Sequence, residues 1–418
     1  MFHLFTVLKN LRGNARGCVL TEPLWGIPYN LYIPYLSVYM RELGLELHEI
    51  GLITSIGLVF QIVAALMSGV ITDKLGRKRA TLIFDILAWS VPTFIWAISQ
   101  NFYYFLAAAI VNSLWRVTMN SWTCLLVEDT DPQQLIDVYS LIYISGLLVA
   151  FFAPLAGVFI DRFSLVPTMR GLLLFAMLMM TIKFVTMNML VTETRQGVVR
   201  MQETRHQNVL TVLKEYGGVF KDLLKARPTI LTVGIMIVAS ICSTISNAFW
   251  APYVKEIVLI PAEHLALFPF VKSGIMLLFF LFVMPRLSSL NFKTPMLLGF
   301  AGYLVSLALL VTAPQKSYLA LVISVLIEAC SLAMIGPFLD KMIVVTVDAK
   351  ERARIMAIMY VVMIGVTSPF GWIAGNLSEI NQLLPFILNM VLFTFGGLLT
   401  ILAERAARAS VEATPEVV

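Results

Sequence analysis

The chain has 418 residues, of which 59% are hydrophobic and only 13% charged, with a mean hydropathy of +0.86. Water-soluble chains carry about 25% charged residues, so this one lacks the polar surface of a soluble fold and must find most of its solvent in lipid. The net charge of +5 does not make a nucleic-acid surface, because the Lys and Arg residues are scattered over short segments instead of gathered on one face.

Cys18, Cys124, Cys242 and Cys330 sit in apolar runs without metal-like spacing and read as small core residues. His3, His48, His206 and His264 fall at the terminus, in loops or at segment edges, so no His/Cys or His/Glu cluster for a metal or a nucleophile is expected from them. No metal, cofactor or catalytic residue is therefore expected. The stretch Met1 to Gly17 carries Lys9, Arg12 and Arg16 without a separate apolar core and cleavage site, unlike a removable signal peptide.

A spanning helix needs about 20 mostly apolar residues. Apolar runs bounded by charge or by Gly, Pro and Asn place such helices at 18–40, 48–71, 80–99, 102–127, 136–160 and 166–190, then at 229–254, 263–284, 294–313, 317–339, 354–377 and 381–403. Basic residues stay on the cytoplasmic side, and their concentration in alternate loops puts both termini there. The expected organisation is a cytoplasmic N-terminus (1–17), a six-helix bundle (18–191), a cytoplasmic linker (192–228), a second six-helix bundle (229–403) and a disordered cytoplasmic tail (404–418). The fold class is an all-α membrane protein with twelve transmembrane helices in two six-helix bundles, in the cell membrane.

Within the linker, Val209, Val212, Leu213, Tyr216, Phe220, Leu223 and Leu224 recur at helical spacing opposite Lys214, Lys221 and Lys225. That pattern fits a helix on the inner membrane surface; Gly217 and Gly218 interrupt it, and a solvated linker fits equally. The two halves echo each other: 131–157 and 348–375 each run from a polar turn through an apolar stretch with a mid-span Gly to a Pro and a Gly. Two six-helix repeats are a carrier architecture.

Between the second and third spans the chain reads Gly69, Val70, Ile71, Thr72, Asp73, Lys74, Leu75, Gly76, Arg77, Lys78. A Gly, three residues, Asp, a basic residue, one residue, Gly and two basic residues resemble the loop signature of the major facilitator superfamily. The resemblance in span count and linker covers the whole chain. It implies two six-helix bundles rocking about a cavity lined by the first, fourth, seventh and tenth helices. Physically, Asp73 past a helix end can face the positive N-terminal end of another helix, and Arg77 can pair with Glu128 or Asp129 at the inner end of the fourth span. Gly69, Asp73, Gly76, Arg77, Lys78, Glu128 and Asp129 are thus the expected latch between the halves. The matching loop of the second half, Pro285 to Thr294, lacks the Asp and the paired Gly, so the latch is one-sided. The fifth span carries Ala153, Pro154, Ala156 and Gly157 where proton-coupled drug antiporters of the family show a Gly-Pro and a Gly pair, which weakens an antiporter reading.

An ionisable residue inside a span costs several kcal/mol and marks function by default. Glu22 and Arg116 each lie about 9 Å from the cytoplasmic face at 1.5 Å per residue, and both helices face the implied cavity, so they are an expected ion pair or substrate and proton site. Arg116 shares its helix face with Asn112 and Asn120. Lys272 and Glu328 both fall near the midplane and are expected partners, because either alone is an uncompensated charge. Lys183, near the inner end of its span, is expected to snorkel to the interface. Tyr29 and Asn30 among the prolines of the first span, and Asn247 and Trp250 on the seventh, add polar and aromatic walls suited to an organic solute; helix packing explains such residues as well.

The function read from these features is secondary transport of a small organic solute by alternating access. Proton coupling runs through Glu22 or Glu328, and no phosphate-binding Gly-rich loop supplies ATP. The expected partners are a small-molecule substrate, protons and the lipid bilayer, with no nucleic acid, and the protein is expected to be a monomer. A membrane-embedded lipid-modifying enzyme or a non-transporting receptor on the same scaffold is the alternative.

Overall fold

In the computed structural model the described residues are 11–131, 134–204, 227–287, 292–346 and 352–412, and every regular element among them is helical. Helix α1 (Gly13–Tyr32) is followed by a 3-10 turn at Ile33–Tyr35 and by α2 (Leu36–Glu42). Pro34 has no N–H to return to the carbonyl of Asn30, so the α pattern cannot pass through it. Helix α3 (Leu47–Leu75) starts with a capping box, in which the Glu46 backbone N–H donates to the Glu49 carboxylate at 2.8 Å. After Gly76 come α4 (Arg77–Asp85), a π-helical turn (Ile86–Ser90) and α5 (Val91–Ala97).

Asn101 caps α6 (Phe102–Asn112) by accepting from the Tyr103 N–H at 3.1 Å. Helix α7 (Trp115–Val127) follows after a two-residue break. Pro154 divides the next span into α8 (Leu135–Val149) and α9 (Pro154–Phe163), and α10 (Leu165–Leu190) and α11 (Arg195–Thr204) complete this part. Then come α12 (Arg227–Glu256), α13 (Leu267–Phe282), α14 (Met284–Leu287), α15 (Lys293–Val311), α16 (Tyr318–Thr346), α17 (Arg352–Ile380) and α18 (Leu384–Glu412).

Among the described residues, 10 helical stretches are long and apolar enough to cross a membrane. The first and fourth expected spans, the more polar ones, are not among them; a 3-10 turn at Ile33–Tyr35 separates α1 from α2, and Ser113 and Leu114 separate α6 from α7. Ten of the twelve expected spans are thus met among the described residues, and the all-α multi-pass membrane fold stands. Helix α10 shows what lipid as solvent does to a helix. Leu174, Leu178, Ile182 and Val185 are exposed along one face, while Leu173, Ala176, Met180, Phe184 and Met187 are buried along the other.

The chain divides into two compact units at Val212 and Leu213, with Pro261–Phe270 grouped with the first and Ile50–Leu52 with the second. Helix α1 begins at Gly13, inside the segment expected to precede the first span. Helix α18 continues to Glu412, so most of the stretch from 404 expected to be disordered is helical. The expected surface helix from Val209 to Lys225 lies outside the described residues.

Candidate functional site

The innermost charges of the first unit gather where α1 packs along α10 and α10 meets α4. Lys183 Nζ on α10 lies 3.7 Å from Glu22 Oε2 on α1, and Lys183 is buried. Two sequence expectations are corrected here: Glu22 pairs with Lys183 and not with Arg116, and Lys183 turns inward instead of snorkelling. The reason is neighbourhood. Helix α1 packs far more extensively along α10, which carries Lys183, than along α7, which carries Arg116. Asp85, the last residue of α4, is 4% exposed and has Glu22, Lys183 and the Thr118 hydroxyl as its electrostatic neighbours. Among the described residues, neither Asp85 Oδ2 nor Glu22 Oε2 has a hydrogen-bond partner. Above this cluster Tyr29 stacks on Trp25 at 4.7 Å, and Trp89 meets both edge-on at 5.9 and 5.0 Å.

Arg116 on α7 donates from Nε to Gln61 Oε1 on α3 at 3.1 Å, and its guanidinium lies 4.0 Å from the centre of the Trp115 ring. The asparagines expected beside it are engaged with backbone and neighbours. Asn112 Nδ2 donates to the Ala88 carbonyl at 2.8 Å. Pro92, which would be the helical donor to that carbonyl, has no N–H, so Asn112 serves the π-helical turn directly after Asp85. Asn120 reaches the Thr72 hydroxyl at 3.5 Å, and Asn30 bonds back to the Gly26 carbonyl at 2.8 Å.

The loop motif is a second charge cluster, contained in the first unit. Arg77, its side chain 5% exposed, donates from Nη1 to Asp73 at 3.0 Å and from Nη2 to Glu128 at 3.0 Å, with Nε on both Glu128 oxygens at 3.2 and 3.1 Å. Asp73 is also held by Arg200 of α11 at 2.9 Å, and the hydrogen bonds to Asp73 raise the Arg200 guanidinium above its ordinary value. Glu193 caps the start of α4, accepting from the N–H groups of Arg77 at 2.9 Å and Lys78 at 3.1 Å. Thr194 donates its hydroxyl to Glu128, and Asp129 accepts from the Arg195 N–H at 3.4 Å. Gly76 has φ 81°, and a Cβ there would strike the Glu193 carboxylate and come within 2.8 Å of Met201 Sδ. Gly69 lies on α3, where a Cβ would meet nothing among the described residues.

In the second unit Lys272 Nζ on α13 donates to Glu328 Oε1 on α16 at 2.6 Å. On α12, Asn247 donates to the Ser243 hydroxyl at 3.3 Å, and Trp250 is half-buried. The Ser246 hydroxyl lies 3.3 Å from that of Tyr303, whose ring stacks on Phe393 at 4.1 Å.

Sequence reasoning missed Asp85, Gln61, Glu193 and Arg200. Asp85 carried the same signal as Glu22, an acid several residues inside a span. Glu193 and Arg200 gave no signal, because charged residues in a linker are ordinary.

A profile of the Major Facilitator Superfamily matches residues 25–371. Quinolone resistance protein NorA of Staphylococcus aureus is 28% identical over 102 residues, 24% of this chain and 26% of that protein. Multidrug resistance protein MdtG of Yersinia enterocolitica is 27% identical over 181 residues, 41% of this chain and 42% of that protein. The chain thus spans well under half the length of these curated relatives. Among solved structures, the nucleoside transporter NupG is similar with a TM-score of 0.70 at 15% identity, covering 94% of this chain and 99% of that one. A POT family transporter in complex with 5-aminolevulinic acid has a TM-score of 0.71 at 14% identity, covering 93% of this chain and 94% of that one. At these identities the likeness is one of fold.

Proposed function

Because this chain belongs to the Major Facilitator Superfamily, we propose that it is a secondary transporter, not an enzyme, that moves a small organic solute across the membrane by alternating access. The observation that carries this reading is the distribution of ionic groups. Charges are placed deep inside helices that must cross lipid, in Lys272–Glu328 of one unit and Lys183–Glu22 of the other, where charge is kept for pathways and coupling. Arg116, Tyr29, Asn30, Asn112, Asn120, Asn247 and Trp250 supply polar and aromatic contacts along the solute's route. An amphipathic, ring-bearing solute suits those walls, in keeping with relatives named for quinolone and multidrug resistance. Protons drive the movement. The protein works as a monomer in the cell membrane with both termini cytoplasmic, and the Asp73–Arg77–Glu128 cluster governs closure on that side.

A ligand screen by thermal shift on the purified protein registers anything that binds the native state. Uptake of the hits into proteoliposomes, with and without a pH gradient, tests the proposal. Hits that stabilise the protein but never enter the vesicles point to a receptor instead.

A further inference from the structure

The half-buried Glu22 and the buried Asp85 and Lys183 bring two carboxyl groups and one ammonium together where α1, α4 and α10 meet. With all three ionised the cluster carries one uncompensated negative charge, on carboxylates that each present an oxygen without a hydrogen-bond partner. A lone buried charge costs several kcal/mol, and two carboxylates close together do not both ionise readily. One added proton makes the cluster neutral. The titratable and charged groups facing it are Cys18 and Glu22 from α1, Asp85 from α4 and Lys183 from α10, with the Thr118 hydroxyl from α7. Among the described residues, no second cation acts on Asp85 or Cys18.

We propose that Glu22, Asp85 and Lys183 form a one-proton binding site of the carrier, with Lys183 paired to Glu22 and the proton held at the unpartnered oxygen of Asp85. The proton comes from water and returns to water, forming and breaking one O–H bond at a carboxyl oxygen. The site lies on α1, α4 and α10, next to the π-helical turn at Ile86–Ser90. Such turns are often found at functional sites, and this one adjoins the proton-bearing residue. The coupling role of the proton rests on the carrier reading; the presence of the proton does not.

Infrared difference spectroscopy on the purified full-length protein reads the carbonyl band of a protonated carboxylic acid directly. At neutral pH the wild type is expected to show one such band that Asp85→Asn removes and that Glu22→Gln also removes, because the remaining carboxylate then neutralises Lys183. Lys183→Met is expected to double the band. A wild-type-minus-variant difference that is flat for either acid substitution overturns the proposal. Should Asp85→Asn fail to fold, Glu22→Gln and the pH titration of the wild-type band decide alone, and a wild type without the band overturns it. Band loss as expected, together with no counterflow of any binding solute, would sink the carrier reading and leave the proton site standing. A flat difference with intact uptake would do the reverse.

Discussion

Lys183 on α10 and Glu22 on α1 face each other across 3.7 Å in the interior of the first unit, with Asp85 of α4 beside them. One ammonium thus serves two acids, and the three residues are not energetically equivalent. Removing either acid leaves a neutral pair, whereas removing Lys183 leaves two buried carboxylates. Lys183→Met should therefore cost about 3 to 5 kcal/mol, and Glu22→Gln much less. Thermal denaturation in detergent checks the order. A loss for Lys183→Met no larger than that for Glu22→Gln would contradict the cluster.

Arg116 is tied to Gln61 and Trp115, so its energetic coupling to Glu22 should be small. In a double-mutant cycle, Glu22→Gln and Arg116→Gln should add to within about 0.5 kcal/mol. A coupling of 2 kcal/mol or more, roughly the upper range for residues in contact, would restore them as partners.

In the π-helical turn Asn112 takes the place of the N–H that Pro92 lacks. Asn112→Ala should cost about 1 to 3 kcal/mol by leaving the Ala88 carbonyl without that donor. Adding Pro92→Ala should recover much of the loss, since the restored N–H can bond the same carbonyl. Unfolding midpoints of the two single variants and the double variant test this, and a double variant as weak as Asn112→Ala would rule the pairing out.

In the loop motif the burial of the two arginines sets the order of their contributions. Arg77 is nearly inaccessible and holds Glu128 in a fork, so Arg77→Ala should cost about 3 to 5 kcal/mol. The Arg200 side chain is 40% exposed, so Arg200→Ala should cost about 1 kcal/mol or less. Equal losses in a denaturation series would mean that α11, not the fork, holds the loop.

Much of the fold was legible in the sequence because lipid imposes a length and a polarity on each helix. The second and sixth expected spans, 48–71 and 166–190, lie within Leu47–Leu75 and Leu165–Leu190. The break at Ser113–Leu114 was not, since hydropathy averages over it, and of the three prolines in the first span only Pro34 ends the α pattern. At the candidate site, depth could be reckoned by counting residues, and it put Glu22 level with Arg116, while Lys183 was expected to snorkel to the interface. Which of the two it meets depends on which helix lies beside α1, and that is fixed by packing across the whole unit. Lys272 and Glu328 had a single partner each at their depth, and they do pair. The Asp73 motif was legible by spacing, but Arg200 reaches it from α11 and Glu193 from the non-helical stretch before α11, neither of which carries a motif.

Counterflow in proteoliposomes tests alternating access most directly, because it needs a carrier that presents one site to each side in turn and no imposed gradient. Vesicles loaded with an unlabelled binding solute and diluted into a trace of labelled solute should accumulate the label transiently above its outside concentration. They should do so with wild type and not with empty vesicles. Label that rises only to the amount of protein present, with no overshoot, would show binding without transport and contradict the account.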